Sequence, residues 1–332
     1  MGAELNADSK TRSIAPRTLL GLLLAVAAAI FFGSAGPAAK AVIEAGVTPL
    51  QMVWLRLGGA ALLLLPYVWI TRRRSLIWLF KRNTRYVAAY GIVSFAGVQV
   101  CYFVAVSRLP VSIALLLEYL APALVIAWLV AVRRVRIPVT ALTGALTAIC
   151  GTAVVVEAWT GLRFDLIGVL AGLGAALCQA SFFLLSDKAD READPLTMTA
   201  GGAVVGAFAV GLLAQPWNLP WGALGDGANI ADVSVPVIGL VAWVVVVGTV
   251  FAYACGVTAI RMLSAPVAGV IATLEVVVAA ISAWLALGER LTAVQILGGV
   301  LVLCGALLAQ RRRANAAEKE ELRRIEAMNA ST

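Results

Sequence analysis

Long apolar runs dominate this chain, and short polar or charged stretches separate them. Ten of these runs are roughly 18–25 residues long, enough for a helix to cross about 30 Å of hydrocarbon. They fall at about 19–39, 49–70, 87–107, 110–132, 139–159, 166–186, 196–214, 236–260, 265–287 and 292–310. The seventh is the weakest, being short and rich in glycine. The pattern predicts an all-α polytopic membrane protein with ten transmembrane helices. Residues 1–18 form a polar N-terminal tail, and 311–332 form a C-terminal tail with the helix-like run NAAEKEELRRIEAM. The run 19–39 imitates a signal peptide, but it is long for one and further spans follow. It is therefore read as an uncleaved first helix.

The runs also repeat. LTGALTAICGTAVVV (142–156) aligns with ILGGVLVLCGALLAQ (296–310), setting Gly144 on Gly298 and Cys150–Gly151 on Cys304–Gly305. Upstream, Ala127–Trp128 meets Ala283–Trp284. Five spans fall in 19–159 and five in 166–310. Five is odd, so the second half enters the membrane inverted relative to the first, a recurring transporter plan with its site near the midplane. With the N-terminus inside, 21 Lys and Arg lie on inner segments and four on outer loops (Lys40, Arg108, Arg163, Arg290), and Arg56 lies within the second span. The positive-inside rule then places both termini in the cytoplasm. The longest outer loop, 215–235, lacks basic residues and carries Trp217 and Trp221, which suits it to the outer interface.

Composition narrows the function. The chain of 332 residues is 61% hydrophobic and 13% charged, against about half and a quarter for soluble domains. The net charge of +8 is accounted for by basic residues at span borders, so no nucleic acid is expected as a partner. All five cysteines sit inside apolar segments and none forms a C-x-x-C pair. They read as small packing residues, not disulfides or metal ligands. The lack of histidine excludes His-based zinc sites, His-centred triads and a His proton relay. HExxH, G-x-S-x-G and P-loop motifs are missing, so an enzyme is not expected and uphill transport would use an ion gradient or exchange.

The candidate chemistry lies at mid-membrane depth. The stretch LPVSIALLLEYLAPALVIAW (109–128) places Glu118, Tyr119 and Pro122 near the middle of the fourth span. A carboxylate there costs roughly 2.5–3.5 kcal/mol even on lenient scales, so a buried partner or a wet cavity must offset it. Pro122 removes a backbone donor beside the acid. Glu275 occupies the corresponding helix of the second half. Either glutamate can take an ammonium group or carry a proton, or simply brace two helices. Arg56 can neutralise Glu118 or hold a substrate carboxylate. Gln99, Tyr102, Gln179, Ser181 and Tyr253 are polar groups on apolar spans, which line a pathway or bond between helices. Trp54, Trp128, Trp243 and Trp284 wall a cavity or anchor at an interface. Gly202 and Gly206 form a G-x-x-x-G packing pair. Pro37 and Pro122 lie deep enough in their spans to kink them.

The two five-span halves and the paired stretches AWLVAVRR and AWLALGERLTAVQILGGVLVLCG resemble the EamA-type members of the drug/metabolite transporter superfamily, over about residues 19–310. One departure is that Glu275 is followed by Val276, where the family often has proline. Within the family, the L-P-x-x-I-A-x-x-L-E-[YF] core around Glu118 and Tyr119 is most similar to the fourth helix of bacterial threonine/homoserine exporters. The resemblance implies a multi-pass protein of the bacterial inner membrane. It would be a secondary transporter that exports a small metabolite by alternating access, with amino acids such as threonine or homoserine, or related zwitterions, as the expected substrates. Two alternatives stand beside this: efflux of lipophilic cationic drugs and a lipid flippase. A structural or sensory membrane subunit belongs to a different class. The expected partners are the small-molecule substrate, the lipid bilayer and, left open, a second copy in a homodimer. No cofactor or metal is expected, and proton coupling is left open.

Overall fold

The computed structural model describes residues 16–82, 84–134, 137–157, 165–186, 195–231, 233–262 and 265–308. The expectations for the C-terminal tail, for most of the N-terminal tail, and for Arg163 as an outer charge fall outside these residues. The helices are α1 (Pro16–Glu44), α2 (Pro49–Arg82), α3 (Thr84–Val106), α4 in two pieces (Val111–Glu118 and Ala121–Ala131), α5 (Val139–Val155), α6 (Leu166–Ser186) and α7 (Pro195–Ala214). They continue with α8, built from the consecutive segments Val237–Ala242, Trp243–Phe251 and Ala252–Met262, then α9 (Ala265–Leu287) and α10 (Ala293–Leu308). Seven helices among the described residues are long and apolar enough to cross a membrane. Shorter apolar helices, Val139–Val155, Leu274–Leu287 and Ala293–Leu308, stand where the hydrophobic pattern expects the fifth, ninth and tenth spans. Large side chains such as Leu62, Ile70 and Phe208 are strongly exposed on this bundle. Such a surface suits lipid and would be a liability in water.

Local chemistry sets the helix ends. Thr48 and Gln51 form a reciprocal capping box at the start of α2, each side chain accepting the other's backbone N–H at 3.0 and 3.3 Å. Thr292 and Gln295 do the same for α10 at 3.0 and 3.2 Å. Pro122 sits in the first turn of the second piece of α4. It has no N–H to give the Glu118 carbonyl, and the helix is interrupted at Tyr119–Leu120. Pro37 differs, because α1 passes through it as one helix.

Three features depart from the sequence pattern. First, α2 continues to Arg82 with a kink at Arg72 (φ −140°, ψ 30°), where a basic loop was expected from residue 71. Leu76 and Leu79 are buried there, Leu76 in one cluster with Leu64, Val68 and Ala200, and helical spacing brings both to one face. Second, the fold is not wholly α. In the expected outer loop, Gly227–Ile230 pairs antiparallel with Val233–Pro236 in the register Gly227↔Pro236, and the Ala231 N–H bonds the Ala286 carbonyl at 2.9 Å. Trp217 and Trp221 in that loop are exposed. Third, Tyr90–Gly97 of α3 and Trp243–Phe251 of α8 are π-helical.

In the packing, α1 lies against α8 and α9, α2 against α7, α3 against α6 and α7, and α4 against α6 and α9. Helices α5 and α10 meet backbone to backbone. A Cβ added to Gly151 would stand 2.9 Å from the Gly298 oxygen, one on Gly298 would stand 2.9 Å from the Gly151 oxygen, and one on Gly305 would stand 2.6 Å from the Gly144 oxygen. No flexible side chain lies between to give way. Gly305→Leu is therefore expected to part the two helices, costing about 1–3 kcal/mol or more. A fall in melting temperature of the purified protein checks this, with Gly222→Ala, which meets open space, as the neutral control.

Candidate functional site

The break in α4 brings the candidate groups together. Every residue from Val111 to Leu117 is buried, whereas Glu118 and Tyr119 are only half-buried. The turn is thus the part of this segment that the packing leaves accessible. Glu275 on α9 is also half-buried, and its carboxyl is hydrogen-bonded with the Tyr119 hydroxyl. Glu118 lies within electrostatic reach of Glu275 and Arg56. Among the described residues no hydrogen bond reaches the Glu118 carboxyl. Two glutamates from two helices thus face one small region, with one cation nearby.

Arg56, only 6% exposed, is held by neutral groups. Its Nε donates to Thr249 Oγ1 at 3.0 Å, Nη1 to Gln99 Oε1 at 3.0 Å and Nη2 to the Gly248 carbonyl at 3.3 Å. Its guanidinium carbon also lies 5.6 Å from the centre of the Phe103 ring. Gly248 and Thr249 belong to the π segment of α8, and Gln99 follows the π segment of α3. A π turn widens the helix and leaves groups free for such contacts. Sequence reasoning expected Glu118 or a substrate as the partner of Arg56. The structure gives it Gln99, Thr249 and Gly248 and keeps Glu118 within electrostatic range.

Tyr102 is buried, with its hydroxyl packed on Gly36 of α1, where a Cβ would stand 2.7 Å away. Tyr253 meets Phe32 edge-on at 5.0 Å and lies 5.9 Å from Phe95. The ring series continues from Phe95 through Tyr90 to Tyr86 and Phe182. Of the remaining candidates, Gln179 is half-buried on α6 and joins none of these hydrogen bonds among the described residues, and Ser181 bonds back to the Leu177 carbonyl at 2.9 Å. Trp243 and Trp284 are exposed, and Trp243 Nε1 donates to Ser34 Oγ at 3.2 Å. Cys101 and Cys178 are both half-buried, and each packs toward a glycine of the neighbouring helix, Cys101 toward Gly174 and Cys178 toward Gly97. Gly202 packs on Tyr90 and Phe95, and Gly206 on Leu57 and Ala96.

Sequence reasoning missed Thr249, Phe103, Lys40 and Glu289. Thr249, the one polar side chain in WVVVVGTVF, could have been singled out as a polar group on an apolar span. Lys40 is read from the sequence only as an outer-loop charge, and Glu289 is not singled out there. They form an ion pair of 2.7 Å.

Comparison with known proteins agrees with this architecture. The inner membrane transporter YicL of Salmonella typhimurium is 24% identical over 90% of this chain and 99% of its own length. The threonine/homoserine exporter RhtA of Escherichia coli is 27% identical over 77% of this chain and 78% of its own. A transporter of Archaeoglobus fulgidus is 26% identical over 63% and 71%. One crystal structure superposes with a TM-score of 0.56 at 19% identity, covering 92% of this chain and all of that one, which is a likeness of fold. The model of the EamA-like transporter family matches twice, over residues 19–157 and 166–310. A multi-pass bundle with such relatives is a membrane transporter, and this chain belongs to the EamA-like transporter family.

Proposed function

We propose that this protein exports small amino acids or related zwitterions across a bacterial inner membrane, by alternating access and without ATP. The observation that carries the reading is the half-buried pair Glu118 and Glu275 with Tyr119 between them, deep in an apolar wall. Glu118 takes the substrate ammonium or a coupling proton. Arg56 keeps N–H groups on both terminal nitrogens for a carboxylate. The relatives named as threonine/homoserine exporters support this substrate class.

In this reading the chain crosses the membrane ten times as two inverted five-helix halves, 19–159 and 166–310, with both termini cytoplasmic. Three observations support it. The family matches twice. Exchanging α1 with α6, α2 with α7, α3 with α8 and α4 with α9 maps the main packing pairs onto one another: α1–α8 onto α3–α6, α1–α9 onto α4–α6, and α2–α7 onto itself. The Gly151–Gly298 contact likewise maps onto Gly144–Gly305. The π segments of α3 and α8 occupy equivalent helices.

The test is export from cells loaded with dipeptides that release each candidate amino acid, with the protein present or absent. Faster loss of one or a few amino acids with the protein supports the reading, and no difference for any of them overturns it. A second reading, efflux of apolar cations, has the ring series from Tyr86 to Phe32 in its favour, since aromatic faces attract cations. It predicts altered sensitivity to lipophilic cations in the same strains. Tyr119→Phe keeps the ring and removes the hydroxyl bonded to Glu275. It is expected to slow export about tenfold at normal abundance, the factor that matches ~1.4 kcal/mol. Unchanged export by this variant would take Tyr119 out of the mechanism.

A further inference from the structure

The ion pair of Lys40 and Glu289 stands apart from the site around Glu118, yet the chain presents it with care. Gly288 ends α9 in a left-handed turn (φ +69°) that an L side chain would strain. Its N–H bonds the Trp284 carbonyl at 3.0 Å, and the Glu289 N–H bonds the Ala283 carbonyl at 3.3 Å. This double closure fixes where Glu289 leaves the helix. Glu289 Oε1 then accepts from Lys40 Nζ at 2.7 Å, and Oε2 accepts from the Val111 N–H at 2.8 Å. Lys40 Nζ also donates to the Leu109 carbonyl at 3.0 Å. The two side chains are only 15% and 12% exposed.

Two charges therefore tie α1, the start of α4 and the end of α9 at one point. Each of these elements leads to the candidate site. α1 carries Phe32 and Gly36, which touch Tyr253 and Tyr102. The piece of α4 that Glu289 caps is a rigid helix whose last residue is Glu118, about 10 Å further on at 1.5 Å per residue. α9 carries Glu275. The other ties at this end are more open: Arg108–Asp165 at 2.8 Å with both side chains about 40% exposed, and Glu157 accepting from Thr292 and Gln295 at 3.4 and 3.5 Å.

We propose that Lys40 and Glu289 form the outer gate of the pathway, a clasp that closes the site around Glu118 from the outside and must part before that site opens outward. The inference rests on the transport reading above and adds the residues that control access. An ion pair suits a gate because its partners regain hydration when it opens, so both states are acceptable. An apolar seal would instead expose its surface to water. Because Oε2 caps α4, parting the clasp also releases the helix that carries Glu118.

The test measures access and needs no substrate. In a background with all five native cysteines replaced, Tyr119→Cys reports on the turn beside Glu118. It is labelled with a membrane-impermeant maleimide from outside in whole cells and from inside in inverted vesicles. With the clasp intact, labelling is fast from inside and slow from outside. Glu289→Gln, which keeps the bond to the Val111 N–H but loses the charge, and Lys40→Gln are each expected to raise the outside rate at least about tenfold at unchanged abundance. Equal outside rates with and without the clasp overturn the gate, whether fast or slow. Slow labelling from both sides in every variant also overturns it, since the turn then opens to neither side. If one variant fails to accumulate, the other decides. Altered labelling, together with no amino-acid export by the protein that keeps its native Tyr119, would sink the proposed substrate and leave the gate standing.

Discussion

Replacing Glu118 with Gln is expected to abolish export, by at least about a hundredfold, while the protein stays in the membrane at normal abundance. The amide has nearly the shape of the carboxyl but carries no charge and accepts no proton at physiological pH. If Glu118 holds an ammonium or a coupling proton, both roles end with this substitution. Stability should not suffer, because a neutral amide at that depth avoids most of the desolvation cost of a carboxylate. Among the described residues no hydrogen bond to the Glu118 carboxyl is lost. Function and stability therefore move apart, as they do at sites held against their own energetic preference. Export of the identified amino acid and quantitative immunoblotting of membranes are the two readings. Wild-type export by Glu118→Gln would remove Glu118 from the mechanism and leave Glu275 as the acid to test.

Arg56→Lys is expected to do the reverse and deplete the protein itself. The guanidinium reaches Thr249, Gln99 and Gly248 in three directions with its separate nitrogens. An ammonium on a flexible stem cannot copy that fork. The variant keeps the cost of a buried charge while losing one or two charge-assisted bonds, each worth about 1.5–3 kcal/mol. Arg56→Met has similar length and no charge, so it leaves polar groups unpaired but buries no ion. Abundance and melting temperature should therefore rank wild type, then Met, then Lys. A lysine variant as abundant as wild type would mean that Arg56 serves by its charge alone, as a substrate ligand would.

Much of this architecture can be read in the amino-acid sequence, because a bilayer demands long apolar runs and punishes polar groups inside them. The run 166–186 coincides with α6, and 265–287 coincides with α9. Pro122 announced the interruption of α4 by chemistry alone, since a proline has no N–H to donate to the carbonyl four residues before it. The alignment of Gly144 with Gly298 and Gly151 with Gly305 marked residues that meet across α5 and α10. What could not be read depends on contacts between distant segments. Basic residues 72–74 looked like a loop, but burial of Leu76 and Leu79 keeps the chain helical beyond them. The partners of Arg56 come from α3 and α8, far away along the chain, so local pattern could not choose them over Glu118. Lys40 and Glu289 lie 249 positions apart and become a pair only once α1 and α9 are packed together.

The π segments of α3 and α8 have a consequence for how this chain tolerates change in length. A π turn holds one residue more than an α turn in nearly the same rise. Deleting one residue within Trp243–Phe251 would restore an ordinary α turn at little local cost. Because the surplus residue adds neither a turn nor much rise, the helix beyond would keep its face, and Tyr253 would stay against Phe32 and Phe95. The same deletion in a plain α segment would swing everything beyond it by about 100° around the helix axis. One residue lost near the start of Tyr90–Gly97 would likewise leave Gln99 beside Arg56. Each π segment is thus a slack turn, the place in its helix where a residue can be lost while the faces on either side keep their phase.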